Sequence, residues 1–203
     1  MSFHPLIPYG TDRWHKSERT LAETGAPFAF TPERAATLEE ICSKYPPEQR
    51  KSAVLAALYL VQEQQGHLTA SGMRHVAEFL RMAPAEVEDV ATYYVMFYKA
   101  PVGTYVVQVC RTLSCALAGA ERVTEALSEK LGIALGETDV SGMFTLGEFE
   151  CLGACDRAPV VMVNNEYWHE KATPESCATL VDDLKARGVS VLSGCHLKVE
   201  TRQ

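Results

Sequence analysis

The chain has 203 residues, of which 47% are apolar and 22% charged, a balance ordinary for a globular protein that buries a core. Its formal net charge of −7 argues against a general nucleic-acid binder, which would concentrate Lys and Arg on one face. No apolar run approaches the roughly 20 residues that cross a bilayer. The first residues show neither a signal-peptide nor a transit-peptide pattern, so a reducing, cytoplasmic compartment is expected.

A helical bundle is predicted at 31–99, after an irregular N-terminal arm at 1–30. The arm is rich in Pro, Gly, Thr and charge and shows no sustained period, although Phe28 and Phe30 are candidates for local docking. Apolar residues then recur at helical spacing in four segments, which begin near 32, 48, 70 and 84. Four aromatic residues close this region, and they are assigned to core and inter-domain packing, with a partner-facing role for some left open: Tyr93, Tyr94, Phe97 and Tyr98.

A layer of strands with packed helices is predicted at 100–188, followed by a tail at 189–203. The pattern changes after Pro101, where β-branched residues indicate a strand that ends at Cys110. The elements that follow are a helix at 116–131, a strand at 144–150, a strand at 160–163, a hairpin turn at Asn164-Asn165, and a last helix from Pro174 to Gly188. The order is therefore β-α-β-β-α.

Two cysteine pairs carry the candidate chemistry. Cys110 and Cys115 have four residues between them, Cys151 and Cys155 have three, and each pair directly follows a predicted strand. The two loops can therefore lie side by side at one end of a sheet. A [2Fe–2S] cluster is held by four thiolates, two on each iron, and two close pairs meet that demand. Between the cysteines, Gly153 would let amides turn towards an anionic cluster, and Thr112 and Ser114 could donate hydrogen bonds to sulfur.

Other uses of these cysteines remain open at this point. A structural zinc site also takes four cysteines, although its pairs are usually more closely spaced. A thiol–disulfide enzyme would show Cys-x-x-Cys, which is absent, and a disulfide between the loops conflicts with a reducing compartment. Cys42, Cys177 and Cys195 have no ligand-like neighbours in sequence and are interpreted as structural or incidental thiols.

The chain resembles a known family at these loops. The segments that carry the resemblance are Gln108-Val109-Cys110 with its gap to Cys115, Glu150-Cys151-Leu152-Gly153-Ala154-Cys155 with Ala158-Pro159, and, before them, Tyr45-Pro46, Gln64-Gln65-Gly66 and Val90-Ala91-Thr92-Tyr93-Tyr94. Together they resemble the thioredoxin-like [2Fe–2S] ferredoxins, and more narrowly the small iron–sulfur subunit in the NADH-oxidising module of respiratory complex I. The resemblance covers roughly 35–187. Leu113-Ser114 stands where the family commonly has Thr-Pro, and Asp156-Arg157 is more charged than expected.

The resemblance implies an α+β fold, with an N-terminal helical bundle followed by a thioredoxin-like [2Fe–2S] ferredoxin domain. It implies one [2Fe–2S] cluster, with the ligand set carried over to Cys110, Cys115, Cys151 and Cys155. It also implies an enzyme subunit of an NADH:quinone oxidoreductase, whose larger flavoprotein partner binds FMN and NADH and exchanges electrons with this cluster. Further iron–sulfur subunits and a peripheral position on the cytoplasmic side of the inner membrane would follow.

Two related assemblies remain as alternatives, since NAD-dependent formate dehydrogenases and bidirectional hydrogenases contain similar subunits. A zinc-stapled interaction module is the alternative from another class. The chain has no Gly-x-Gly-x-x-Gly after a strand, so no NADH-oxidising site is expected on it.

Overall fold

The computed structural model describes residues 27–192. Most of the predicted arm, most of the predicted tail and Cys195 lie outside these residues. The chain divides into two compact units, Met1–Pro101 and Val102–Gln203. In the described part of the chain, no helix combines the length and the apolar character that a membrane span requires.

The first unit is helical. Its elements are α1 (Pro32–Ser43), a 3₁₀ helix (Pro47–Ala53), α2 (Val54–Gln65), α3 (Ala70–Leu80) and α4 (Pro84–Tyr93). The start signals act as predicted, because Thr31 accepts a hydrogen bond from the Arg34 amide and Thr69 accepts one from the Gly72 amide. Gly66 ends α2 in the left-handed conformation, with a φ of 80°.

The core of this unit forms where the apolar faces of the helices meet. The predicted face of α3 is buried at all four positions, Met73, Val76, Ala77 and Leu80. Each fully buried aliphatic side chain of this kind contributes about 1.5–3 kcal/mol of transfer free energy. Phe28 and Phe30 are buried, and both rings stack edge-on against the ring of His75. The last residues of the arm are therefore fixed to the bundle.

Three glutamines near the end of α2 hold the neighbouring backbone. Gln62 donates to the Met96 carbonyl at 3.1 Å and accepts from the Tyr98 amide at 2.7 Å. Gln64 donates to the Ala29 carbonyl at 2.9 Å and accepts from the Thr31 amide at 3.2 Å. Gln65 accepts from the Thr69 hydroxyl at 3.0 Å. The Gln64-Gln65-Gly66 segment thus has a structural role, because it positions the arm and the start of α3.

One sequence expectation in this unit is wrong in detail, and a second is met only in part. The second helix starts as a 3₁₀ turn because Gln49 leaves helical geometry, so its α-helical part begins only at Val54. The aromatic cluster is also divided, because α4 ends at Tyr93 and Tyr94 is extended. Phe97 is buried, whereas Tyr93 is 79% exposed and is not a core residue.

The second unit is a mixed four-stranded sheet with helices. Its elements are β1 (Tyr105–Cys110), α5 (Leu113–Leu117), α6 (Ala120–Leu131), β2 (Phe144–Phe149), β3 (Val161–Val163), β4 (Tyr167–His169) and α7 (Pro174–Arg187), and a short 3₁₀ helix follows at Gly188–Leu192. The strand order is β2-β1-β3-β4, with β1 parallel to β2 and antiparallel to β3. The chain is therefore α+β, as predicted.

The central strand β1 is buried along its whole length. Val107 and Val109 of β1 share a buried cluster with Val123 and Leu127 of α6 and with Leu184 of α7. The predicted helix at 116–131 is wrong, because it is two helices. Gly119 has a φ of 99° and separates α5 from α6. This left-handed backbone is strained for any residue with a Cβ, so the junction favours glycine.

Candidate metal centre

Both cysteine loops leave the sheet at the same edge. Strands β1 and β2 are parallel, and Cys110 at the end of β1 pairs with Phe149 at the end of β2. The ladder continues one step further, since the Arg111 amide donates to the Phe149 carbonyl at 3.0 Å. Cys151 follows two residues after Phe149. The parallel register therefore places the two loops side by side. This agrees with the sequence prediction, in which each cysteine pair directly follows a strand.

The two pairs differ in exposure. Cys110 and Cys115 are each 3% exposed, whereas Cys151 and Cys155 are exposed. Cys115 lies in α5 and Cys155 begins a 3₁₀ turn, Cys155–Arg157. These four cysteines, with Cys42 and Cys177, carry free thiols in residues 27–192, so no disulfide joins the two loops.

The sulfur atoms converge only in part. Cys110 and Cys115 lie close enough to shift each other's pKa, and the charge of Cys155 also raises the pKa of Cys115. Across residues 27–192, however, no three Cys, His, Asp or Glu side chains converge at the spacing of a metal site. The structure thus brings together the first pair and places Cys155 near it, while Cys151 lies exposed on the adjacent loop.

Hydrogen-bond donors surround the buried sulfurs. Burial raises the pKa of the Cys110 thiol, but hydrogen bonds from Thr112, from the Leu152 amide and from Cys115 outweigh it, so this pKa lies below its ordinary value. The Thr112 hydroxyl oxygen is 3.4 Å from Cys110 Sγ, as expected from the sequence. The side chain of Ser114, the other expected donor, makes no hydrogen bond with the described residues.

Cys115 has the opposite character. Burial raises the pKa of its thiol, and the hydrogen bond to the Cys110 sulfur raises it further, against a smaller lowering by the Val160 amide. The pKa of the Cys110 thiol therefore lies below the ordinary value of a cysteine, and the pKa of the Cys115 thiol lies above it.

The second loop has the backbone shape that its glycine suggested. Gly153 has a φ of 71°, and the Leu152 amide beside it lowers the pKa of Cys110 in the other loop. The charged residues Asp156 and Arg157 form ion pairs within the chain. Arg157 pairs with Asp156 at 3.1 Å and with Glu170 at 3.2 Å. The Ala158–Pro159 peptide bond is cis.

These residues fit a [2Fe–2S] cluster. Four thiols from two adjacent loops match the cluster's demand for two thiolates on each iron. The Leu152 amide lowers the pKa of Cys110 and the Val160 amide lowers that of Cys115, and backbone donors of this kind stabilise thiolate ligands. When bound, such a cluster supplies one-electron chemistry.

The amides of Leu152 and Val160 could not be identified from the sequence. Every residue except proline has a backbone N–H group. Whether that group faces a cysteine depends on the folded backbone, which the residue type does not reveal. Gly153 was the one sequence feature that predicted backbone donors near the sulfurs, and it lies in the same loop as Leu152.

Comparisons with known proteins agree with this fold. The family model described as thioredoxin-like [2Fe-2S] ferredoxin matches residues 38–185. The chain is 43% identical over 166 residues to an NADH-quinone oxidoreductase subunit of Mycobacterium bovis, a match that covers 80% of this chain and 65% of that longer protein. It is 40% identical over 159 residues to an NADH-quinone oxidoreductase subunit of Thermus thermophilus, covering 78% of this chain and 88% of that one.

A solved structure shares the fold at lower identity. An NAD+-reducing [NiFe]-hydrogenase in the H2-reduced state superposes with a TM-score of 0.56 and 18% identity, covering 64% of this chain and 22% of that chain. With the family model matching most of its length, the chain belongs to the thioredoxin-like [2Fe–2S] ferredoxin family.

Proposed function

We propose that this chain is the electron-transfer subunit of an NADH:quinone oxidoreductase, carrying one [2Fe–2S] cluster on Cys110, Cys115, Cys151 and Cys155. The observation that carries the proposal is the parallel pairing of β1 with β2, which brings both cysteine loops to one edge of the sheet. The names of the mycobacterial and Thermus relatives support the assignment to that class of complex.

Each part of the site has a task in this function. The buried pair is attached to the central strand, since Cys110 is the last residue of β1 and its amide donates to the Val160 carbonyl at 3.0 Å. The exposed pair lies where it can meet a partner. Hydrogen bonds from Thr112 and the Leu152 amide stabilise negative charge on the Cys110 sulfur, which favours the thiolate needed for iron ligation.

The electron partner in this proposal is the FMN of a larger flavoprotein subunit, which also binds NADH. This chain lacks a Gly-x-Gly-x-x-Gly cradle, so hydride transfer from NADH is assigned to the partner. The remaining iron–sulfur subunits and a peripheral, cytoplasmic-side location on the inner membrane belong to the same proposal.

Electron exchange with the flavoprotein tests the proposal directly. The isolated chain is reduced anaerobically with dithionite, freed of excess reductant, and mixed with the oxidised flavoprotein subunit. The visible absorbance of the oxidised cluster should recover while the flavin absorbance falls. A chain with Cys110→Ser should leave the flavin oxidised.

Three outcomes would contradict the proposal or redirect it. Reduction of the isolated chain by NADH alone would place a nucleotide site on this chain. A flavin that stays oxidised beside the reduced wild-type chain would contradict exchange. Purification of the chain with a hydrogenase or formate dehydrogenase subunit, instead of quinone-reducing subunits, would reassign the complex.

A further inference from the structure

The short helix that contains Cys115, α5, carries an exposed apolar face. Leu113 is 74% exposed and Leu117 is 81% exposed, and they lie four residues apart, on one side of the helix. Cys115 points the opposite way and is 3% exposed. Among the large apolar side chains that are exposed in residues 27–192, these two alone are separated by one helical turn.

This face continues into an acidic cavity. Ala116, which is exposed on α5 beside Leu113, also lines an open cavity of about 360 Å³. The cavity is lined further by Cys110, a candidate ligand, and by three carboxylates: Glu121, Glu125 and Glu148. The apolar face and the acidic cavity therefore form one surface, which reaches the candidate metal centre.

The three carboxylates of this surface have no ion-pair partner in the described part of the chain. Arg111, which also lines the cavity, is paired with Glu150 at 3.1 Å. Glu121, Glu125 and Glu148 form no ion pair with any residue from 27 to 192. Glu121 and Glu125 are also one helical turn apart on α6, an arrangement of like charges that destabilises a helix. A basic group from outside would relieve this repulsion.

We propose that this surface, defined by Leu113, Ala116 and Leu117 with Glu121, Glu125 and Glu148, is where the flavoprotein subunit docks. The inference rests on the proposed function and adds the docking face. It predicts that the flavoprotein presents an apolar patch for the two leucines, flanked by Lys or Arg side chains for the carboxylates. Docking here brings the partner next to Cys110, which electron exchange requires.

The negative charge of this surface favours the flavoprotein over other binding partners. A second copy of this chain, packed symmetrically, would set the three carboxylates against their own copies. An anionic membrane surface would also be repelled by them. A protein with a basic rim around an apolar centre gains from both parts of the surface, as interface cores and rims commonly do.

Purification of the assembled complex through a tag on this chain tests the inference. The FMN that copurifies is measured per chain, together with the iron bound by the tagged chain after it is separated from its partners. The double variant Leu113→Ser/Leu117→Ser should lower copurified FMN by at least about tenfold while its iron content stays at the wild-type level. The matched control is Val95→Ser/Val140→Ser, at two other exposed apolar positions, which should retain the FMN.

Reversing the charge of one carboxylate provides a second test that does not alter the cysteine loop. Glu125→Lys should lower copurified FMN, with a greater loss at low salt than at high salt, because screening weakens the repulsion that it introduces. Glu129→Lys is the control, since Glu129 is exposed on the same helix but does not line the cavity. If FMN copurifies undiminished with both the double serine variant and Glu125→Lys, the docking face is wrong. If no FMN copurifies with the wild-type chain, the proposed function fails instead.

Discussion

The two cysteine loops differ in how the protein holds them. The first loop begins on the central strand and continues into α5, and both of its cysteines are buried. The second loop leaves the outer strand β2, turns at Gly153 and enters a single 3₁₀ turn, and both of its cysteines are exposed. The protein thus provides one pair within its core and one on its surface.

This difference suggests a division of roles. The buried pair is held by the fold, because the Cys110 amide donates to the Val160 carbonyl at 3.0 Å and the Thr112 hydroxyl oxygen lies 3.4 Å from the Cys110 sulfur. The exposed pair is held by local turns and by surface ion pairs of Arg157, which contribute little to stability. We therefore expect the first loop to define the site and the second to adjust to the cluster.

Loss of a ligand should produce the largest effect. Replacement of either Cys110 or Cys155 by serine should abolish most of the visible absorbance of the purified chain, because both loops are needed for four thiolates. Cys42→Ser, at a buried thiol outside both loops, should leave the spectrum intact. Cys195→Ser, which lies outside the described residues, should do the same. Equal loss in all four variants would contradict the ligand assignment.

Alkylation should separate the two pairs by rate. In cluster-free chain at about pH 8, iodoacetamide should modify the exposed Cys151 and Cys155 first, because thiolate character and access set the rate. Cys177 is the internal reference, since burial raises the pKa of its thiol to about 11. It should react at least about a hundredfold more slowly than Cys151, as followed by peptide mass spectrometry.

Similar rates at Cys177 and Cys151 would show that the cluster-free chain does not keep this fold. Faster reaction at Cys110 than at Cys151 would contradict the assignment of the first pair as buried and the second as exposed.

The shape of the second loop should depend on its glycine. Gly153→Ala should destabilise the chain by about 1 kcal/mol in denaturant unfolding, because an alanine at a φ of 71° is strained although no atom lies within 4 Å of the new Cβ. Gly147→Ala is the control, since its Cβ would make an ordinary contact of 3.6 Å with Gln108 and its φ is not left-handed. Equal costs at both positions would show that the turn is not responsible.

The hydroxyl beside Cys110 should tune the cluster by a smaller amount. Thr112→Val removes the contact at 3.4 Å and should shift the reduction potential negatively by a few tens of mV, because a hydrogen bond to sulfur stabilises the more negative, reduced state. Ser114→Ala should leave the potential unchanged, since that side chain makes no hydrogen bond in residues 27–192. A redox titration followed by visible absorbance compares the two variants.

The sequence predicted those parts of the molecule that depend on residue type and period. The predicted β-α-β-β-α order agrees with the structure except that its first helix is two helices and that β4 follows the predicted hairpin turn. The shared edge for both cysteine pairs follows from cysteines placed directly after strands. The break at Gly119 was missed because a helical pattern tolerates one glycine, and only the backbone shows its φ of 99°.

Exposure within the site was harder to predict. A helix of five residues is too short for a period to show which side is buried, so nothing marked Leu113 and Leu117 as exposed. The sequence did not separate the exposed Tyr93 from the buried Phe97 for a related reason, because an aromatic residue at a helix end can face either way.

The metal content of the anaerobically purified chain is the most direct test of the central claim. We predict a reddish-brown protein with about two iron and two sulfide per chain, which is the composition of one [2Fe–2S] cluster. A colourless chain that carries zinc on the same four cysteines would contradict electron transfer and would instead support a zinc-stapled interaction module.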